Sequence, residues 1–437
     1  MNQRSISLQQ FFFYLTIISA FTGTLWMSVS VGPIHIFPYR IFLIFMWLLF
    51  VGNIFLINNG RLNLSHIKVK LYLQFFALWL AYAFLSITWA ADKVAAFKNI
   101  IFLFAGISIV FFLVYYFRYL NHLKWLYWLW LLIFIALIPI GVWEVITGNH
   151  LSVSGLLNID EDGFRFAPTT VFTNQNDFAT HIALTLPMVL VWIRYFPNLY
   201  SRASGVLVFI AGLLLLILTS SRANYLGVLS GLIFWFIFLL KLKTKFNALT
   251  IAAFIYLLIV LVFPAQLSDY LAIVDRDMSS LSAIGSQTDD EGINERLNLI
   301  KNALSFTIKS AGFGVGAGNV EYYMVNYPIY PVGETTNVHN WWLEILANYG
   351  VVILGGYCIL YISLFLNLWR AYKRVSNCTE RMICEALLVG WLIFFMGSIS
   401  SSSIIAFAPQ WIYLGFVLAF LNYSRIKDTV SATRYMS

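Results

Sequence analysis

Charged residues are scarce in this 437-residue chain: Asp, Glu, Lys and Arg together make up only 11% of it. Soluble domains carry about 25% charged residues, so the composition excludes a soluble enzyme. Hydrophobic residues make up 60% of the chain and its mean hydropathy is +0.80, which also excludes a disordered chain. The composition therefore predicts an integral membrane protein.

Cysteine and histidine are also scarce. The chain has three cysteines, and each lies either within an apolar stretch (Cys358, Cys384) or in a connection predicted to be cytoplasmic (Cys378). A disulfide-stapled extracellular scaffold is therefore excluded. The six histidines include no pair four residues apart with an acid between them, the spacing of a zinc protease. No internal repeat of solenoid length and no low-complexity tract is visible.

Long apolar stretches are what the sequence does contain. Each can cross the hydrocarbon as a helix of about 20 residues, whereas a membrane β-barrel would show alternating segments of about 10 residues. Twelve stretches lie near residues 10–30, 35–57, 71–90, 100–117, 125–146, 178–196, 204–220, 223–240, 246–264, 346–369, 383–404 and 408–423. The predicted fold class is an all-α polytopic membrane protein with about twelve transmembrane helices.

Basic residues divide the connections between these stretches into two sets. One set, with the two termini, carries 18 of the 27 Lys and Arg residues but only three acids, Glu380, Glu385 and Asp428. Because basic loops remain in the cytoplasm, we expect this set and both termini there, in a multi-pass protein of the cytoplasmic (inner) membrane. The net charge of +8 thus reflects topology, and no nucleic-acid partner is expected.

Polar sequence is concentrated on the other, outer side, in loops near 147–177 and 265–340. Loops of this length are usually functional or disordered, and the second contains helical and turn signals of its own. We therefore expect transmembrane helices 1 to 9 in residues 1–264 and an extracytoplasmic loop with an amphipathic helix in 265–340. Transmembrane helices 10 to 12 and a cytoplasmic tail would occupy residues 341–437.

The first candidate for chemistry is Arg222, in the tight outer connection between the seventh and eighth stretches. An arginine this close to hydrocarbon is costly, and it would open a helix whose free N–H groups and dipole attract anions. Ser220 and Ser221 are plausible N-caps. A guanidinium there can hold two phosphate oxygens at once, although an arginine that snorkels to the interface would show the same pattern.

The second candidate is Arg296, near the start of a predicted helix in the large outer loop. It lies at the border of an apolar stripe, from where it can reach a lipid headgroup. The glycine-rich segment 312–318 that follows lacks the strand and helix that flank a phosphate-binding loop, so a close-packed turn is expected. The residues that form the stripe are Ile293, Leu297, Ile300, Leu304 and Ile308.

The third candidate is His339, shortly before the tenth stretch. A cap within residues 335–337 would place His339 in the first turn of a helix, where the dipole disfavours imidazolium. A neutral histidine can accept a proton as a general base. The neighbouring Trp341 and Trp342 suit a membrane interface, or could stack on sugar rings.

Two short acidic runs lie in the outer loops. Asp275 and Asp277 have the D-x-D spacing of metal-dependent sugar transferases, and residues 160–162 offer similar oxygens. Carboxylates bind the divalent ions that accompany sugar-nucleotide phosphates. Short acidic runs in outer loops are more often simply solvated, so we expect no metal site.

Together, these segments resemble the bacterial O-antigen ligase and O-antigen polymerase family. The resemblance covers roughly residues 165–360 and rests on Ser221-Arg222 opening a span, on an arginine-headed helix leading to residues 312–319 (GFGVGAGN), and on residues 339–350 (HNWWLEILANYG). Residues 173–179 (TNQNDFA) also look like a family element. The chain departs from the family where Asn348-Tyr349 replaces the usual acidic residue before glycine.

The resemblance implies a membrane glycosyltransferase that uses a polyprenyl-diphosphate-linked glycan as donor, acts on the outer face and needs no metal or other cofactor. It implies that Arg222 and Arg296 hold the donor diphosphate and that His339 either is the catalytic base or orients the acceptor. Arg165 is a further diphosphate-binding candidate because of its place in the first outer loop. The supporting or substrate-binding residues expected from the matching motifs are Asn176, Asn340, Trp341, Trp342 and Glu344.

Polymerase and ligase share this donor chemistry, and the sequence leaves both open. A polymerase joins lipid-linked repeat units, whereas a ligase transfers the finished glycan to another acceptor such as lipid A core; we favour the polymerase because it needs no second acceptor class. A flippase or exporter would place its ionisable residues inside the spans, whereas here nearly all lie in outer loops. The expected partners are glycan donor and acceptor, the lipid bilayer, a flippase and a chain-length regulator.

Overall fold

The computed structural model describes residues 8–23, 25, 29–31, 34–57, 61–157, 165–241, 245, 291–333, 336–399 and 404–436, and most of these are helical. The helices are α1 (Leu8–Thr22), α2 (Pro38–Gly52), α3 (Lys70–Ser86), α4 (Lys93–Tyr116), α5 (Leu120–Thr147), α6 (Gln175–Tyr195), α7 (Leu199–Leu218), α8 (Arg222–Phe234), α9 (Glu291–Lys309), α10 (Val320–Asn326), α11 (Trp341–Arg374), α12 (Cys378–Gly397) and α13 (Ala408–Met436).

Seven of these helices are long and apolar enough to cross a membrane: α2, α4 to α8 and α11, with α2 and α8 extended by π-helical turns at Asn53–Ile57 and Trp235–Leu239. The α1 and α3 helices are shorter and also apolar. The protein is therefore an all-α polytopic membrane protein, as the composition predicts. The predicted ninth stretch, 246–264, lies outside the described residues.

The first apolar stretch was expected to remain helical to about residue 30, and this boundary is wrong. The α1 helix ends at Thr22, and Gly23 follows with φ +53, the left-handed conformation that commonly ends a helix. Two short strands follow, β1 (Val29–Val31) and β2 (Ile34–Ile36), which pair antiparallel. A short 3-10 helix at Ile404–Ala406 precedes α13.

The tenth predicted stretch, 346–369, is interrupted at Gly350. This glycine has φ 79 and ψ −176, a conformation almost confined to glycine. The N–H of Val351 donates to the Gly312 carbonyl at 2.9 Å, and the Ala347 carbonyl accepts from Val315 N–H at 2.8 Å. The glycine-rich segment 312–318 thus inserts its backbone into the break, which confirms the expected close-packed turn.

The α9 helix is present, but its buried face differs from the predicted apolar stripe. Leu304 and Ile308 of that stripe are 41% and 77% exposed, whereas Leu299, Ala303 and Phe306 are at most 2% exposed. The cluster around this buried face also contains Val315, Val320, Met324, Val338 and Ala347. Because the cluster is supplied by segments distant in the chain, helical periodicity alone did not reveal which face is buried.

The α12 helix lies between α6 and α8 and contacts both. Gly227 and Gly231 of α8 face Ile393 of α12: a Cβ atom at Gly227 would lie only 2.9 Å from the Ile393 carbonyl oxygen. Small residues four apart allow two membrane helices to approach closely. This contact places the start of α8 beside the end of α12.

At the opposite end of these helices, a buried carboxylate joins all three. Glu385 of α12 is 0% exposed and accepts hydrogen bonds from Arg194 Nη1 at 2.5 Å, Tyr195 Oη at 2.8 Å and Trp235 Nε1 at 2.6 Å. A buried charge is tolerated when it is paired and hydrogen-bonded in this way. We call this the basic end, and the end at which α6, α8 and α11 begin the site end.

Candidate functional site

The connection between α7 and α8 places Arg222 at the first position of α8, with Ser221 at the N-cap. Ser221 Oγ accepts a hydrogen bond from Asn224 Nδ2 at 3.0 Å, and the same amide donates to Thr180 Oγ1 of α6 at 3.3 Å. Asn224 is fully buried. The first turn of α8 is therefore fixed to the early part of α6.

The start of α6 is itself capped. Asn174 Oδ1 accepts from Asp177 N–H at 2.9 Å, which satisfies a free backbone donor of the first turn. Asn176 is half-buried, and its carbonyl accepts from the Thr180 hydroxyl at 2.9 Å. Thr180 thus connects the turn that carries Asn176 with the turn that carries Arg222.

The α11 helix begins at Trp341, and its N-cap is Asn340, whose Oδ1 accepts from the N–H groups of Trp342 and Leu343 at 3.1 and 3.2 Å. The predicted cap within 335–337 is therefore wrong, because Asn340 satisfies two free donors of the helix. His339 lies just before the cap and outside the helix, and its N–H donates to Asn337 Oδ1 at 2.8 Å.

The starts of α8 and α11 meet at the end of α12. Trp341 N–H donates to the Ser398 carbonyl at 3.0 Å, and Trp342 Nε1 donates to Ser398 Oγ at 3.0 Å. A Cβ atom at Gly397 would lie 2.5 Å from Asn224 Oδ1. Three helix N-termini, those of α6, α8 and α11, are thus joined at one end of the bundle, and helix N-termini favour anions.

The first of the two tryptophans after Asn340 is a packing residue. Trp341 is only 1% exposed, and its ring contacts those of Trp79, Tyr357 and Trp411. It therefore supports the start of α11 from within the core and is not presented to a sugar ring or to the membrane interface. Trp342 is half-buried.

The remaining predicted residues are spread around this region. Arg296 is exposed on α9, and Leu299, one turn further on, shares a buried cluster with Val338, the neighbour of His339. Arg165 is exposed in the loop after α5, and its guanidinium lies 5.8 Å from the ring centre of Phe166. Glu344 is half-buried in the first turn of α11.

Both acidic runs considered for metal binding, 160–162 and 275–277, lie outside the described residues. Among the residues that the structure does describe, no group of three His, Cys, Asp or Glu side chains is arranged to hold a metal ion.

Sequence reasoning missed Glu144, a fully buried carboxylate at the end of α5. It accepts hydrogen bonds from the N–H groups of Thr169 and Thr170 at 2.8 and 2.7 Å, and it lies 3.3 Å from His150 Nδ1. It thereby orders the loop that leads from α5 to α6. The sequence pattern that could have identified this residue is that Glu144 is the one acid in its apolar stretch, where a carboxylate is energetically costly.

Backbone strain is also concentrated at the site end. Within the described ranges, the non-glycine residues with positive φ are Thr170, Ser220, Ala311 and His339. Ser220 lies two residues before Arg222, and Thr170 is held by Glu144. Residues in such conformations persist only where the surrounding structure holds them in place, and they cluster at functional sites.

A family model described as O-Antigen ligase matches residues 205–358, the part of the chain that contains Arg222, Arg296 and His339. The chain is also 31% identical over 413 residues, 94% of its own length, to the "Teichuronic acid biosynthesis protein TuaE" of Bacillus subtilis (strain 168), and covers 84% of that protein. The chain belongs to the O-antigen ligase family. It is a membrane protein of cell-surface polysaccharide biosynthesis, and the family implies lipid-linked glycan substrates.

Proposed function

We propose that this member of the O-antigen ligase family polymerises polyprenyl-diphosphate-linked oligosaccharide repeat units into surface polysaccharide on the outer face of the cytoplasmic membrane. The observation that carries the proposal is the junction at Gly397–Ser398, to which the starts of α8 and α11 are both attached. Arg222 opens the first of these helices and His339 immediately precedes the cap of the second.

The diphosphate of the donor would bind at this junction. The dipoles of the three helix starts and the guanidinium of Arg222 offer positive charge where the phosphates would lie. Arg296 would approach from α9, whose buried face packs beside Val338, and Arg165 would contribute from the loop that Glu144 orders. The lipid tail remains in the bilayer, which explains why the site must be embedded in a membrane bundle.

In the reaction, an acceptor hydroxyl oxygen attacks the anomeric carbon of the donor sugar, and the bond from that carbon to the diphosphate oxygen breaks. The hydroxyl proton passes to the imidazole of His339, acting as general base, a role worth about 10²–10⁴ in rate. Negative charge develops on the departing polyprenyl diphosphate, where preorganised arginines stabilise it. Loss of one such donor costs about 10²–10³ in rate.

The orientation of the protein is part of the proposal. The basic end would face the cytoplasm together with both termini, because basic loops remain inside. The site end, with the predicted outer loop 265–340 and its helices α9 and α10, would then face outward. A flippase would deliver the lipid-linked repeat units there, and a chain-length regulator would limit their polymerisation.

Polymerisation is favoured over ligation for two reasons. It requires one class of substrate, and the similar Bacillus subtilis protein is named for teichuronic acid biosynthesis rather than for attachment of a glycan to another molecule. A ligase would instead transfer a finished glycan once, to a different surface acceptor.

The proposal is tested with purified protein in liposomes that contain lipid-linked repeat units and no nucleotide sugar. A ladder of longer lipid-linked glycans is expected from the unchanged protein. The variants His339→Ala and Arg222→Lys should lose the ladder, the second because lysine cannot bind phosphate with two parallel N–H groups.

Matched controls lie at the basic end, where His66 and the exposed Arg61 precede α3. The variants His66→Ala and Arg61→Lys should keep the ladder. Full activity of His339→Ala would remove this histidine from the mechanism. Glycan transfer to a second acceptor, without any ladder, would identify a ligase.

A further inference from the structure

A charged pocket lies at the basic end of the bundle, between the last turns of α11 and the middle of α13. It has a volume of about 140 Å³, is open to solvent, and is lined by residues that include Arg370, Arg374, Arg425 and Asp428. The rise of an α-helix separates Arg370 from Trp341 by roughly 40 Å. The pocket is therefore distinct from the region proposed to hold the donor diphosphate.

One arginine of this pocket, Arg425, donates hydrogen bonds to other described parts of the protein, whereas Arg370 and Arg374 do not. Arg425 Nη1 donates to the Lys68 carbonyl at 3.0 Å, and Nη2 donates to Asn367 Oδ1 at 3.3 Å. Arg370 and Arg374 are exposed, and neither makes a hydrogen bond or ion pair within the described part of the chain. Three guanidiniums thus face one carboxylate, Asp428.

The spacing of the two unpaired arginines favours an anion between them. Residues four apart on a helix are neighbours, and like charges at that spacing repel. A phosphate between Arg370 and Arg374 would replace this repulsion with charge-assisted hydrogen bonds. Arg425, held in place by its backbone and side-chain partners, would provide a third donor without further ordering.

An apolar stripe indicates that the phosphate belongs to a lipid. Ile362 and Leu366 precede Arg370 by eight and four residues, lie on the same helix face, and are 58% and 43% exposed. An acyl chain that follows this stripe would bring its headgroup to the pocket. Basic pockets between membrane helices bind anionic lipid headgroups in this manner. We propose that the pocket between α11 and α13 binds the phosphate headgroup of an anionic phospholipid.

The test uses the full-length protein in detergent, titrated with phosphatidylglycerol and followed by native mass spectrometry. The variant Arg370→Gln/Arg374→Gln is expected to bind the lipid about tenfold more weakly, since each basic residue near a membrane surface contributes to binding. Lys373→Gln is the matched control: Lys373 is exposed on the same turn but lies 4.8 Å from the ring centre of Trp369 and does not line the pocket.

Further arms distinguish the source of the phosphate. Glycerol phosphate, which has the headgroup chemistry without acyl chains, should compete poorly with phosphatidylglycerol, and phosphatidylcholine should bind weakly. Equal competition by glycerol phosphate would overturn the lipid assignment. An equal loss of binding free energy per removed charge in the double variant and in Lys373→Gln would show that only general surface charge attracts the lipid. Single variants at Arg370 and Arg374 repeat the comparison if the double variant elutes as aggregate.

Discussion

Replacing Gly350 by alanine is the sharpest test of how the break in α11 is built. A Cβ atom there would overlap the Gly312 carbonyl oxygen and lie 2.6 Å from the Phe313 carbonyl carbon. These backbone atoms cannot withdraw without losing the hydrogen bond from Val351 N–H to Gly312. The positive φ alone costs about 1–3 kcal/mol for a non-glycine residue, and the lost hydrogen bond adds about 1 kcal/mol.

The matched control for this change lies five residues further along the same helix. A Cβ atom at Gly355 would meet no heavy atom within 4 Å, so Gly355→Ala should be neutral or stabilise the helix by up to about 1 kcal/mol. Both variants are compared by the loss of monodisperse protein on heating, measured by fluorescence-detected size exclusion. Gly350→Ala should lower the midpoint and weaken ladder formation. Equal shifts in the two variants would refute the described packing.

Four further outcomes are expected. Glu144→Gln would keep one accepting oxygen for the Thr169 and Thr170 N–H groups but would put an amide nitrogen where the other oxygen accepts from the Thr169 hydroxyl, so it should destabilise the protein by about 1–3 kcal/mol and slow ladder formation; an unchanged melting midpoint would contradict this role. Trp341→Ala should cost about 3–5 kcal/mol in the same heating assay, and a midpoint as high as that of Gly355→Ala would contradict the burial of its ring. EDTA should leave ladder formation unchanged, and strong inhibition would instead implicate Asp275 and Asp277 as metal ligands. In intact cells, a membrane-impermeant maleimide should spare the exposed Cys378 and label an introduced Tyr327→Cys; the reverse pattern would invert the proposed topology.

Much of the site could be predicted where the signal was local. Arg222 at the opening of a span and the close-packed turn of residues 312–318 follow from residue type and short-range spacing. The cap of α11 could not be predicted in the same way. Several residues near His339 can cap a helix, and the choice of Asn340 coincides with the bond from Trp341 N–H to Ser398, which is distant in the chain.

The sequence by itself determined that this is a membrane protein and where most of its helices lie, because hydropathy acts on each stretch separately. Only the tertiary structure decided which face of α9 is buried, that α11 breaks at Gly350, that Trp341 belongs to the core and that Glu144 orders a loop. Each of these features depends on contacts between segments far apart in the chain, such as Gly312 with Val351. Their energies arise only when the helices have packed together, so no local pattern in the sequence records them.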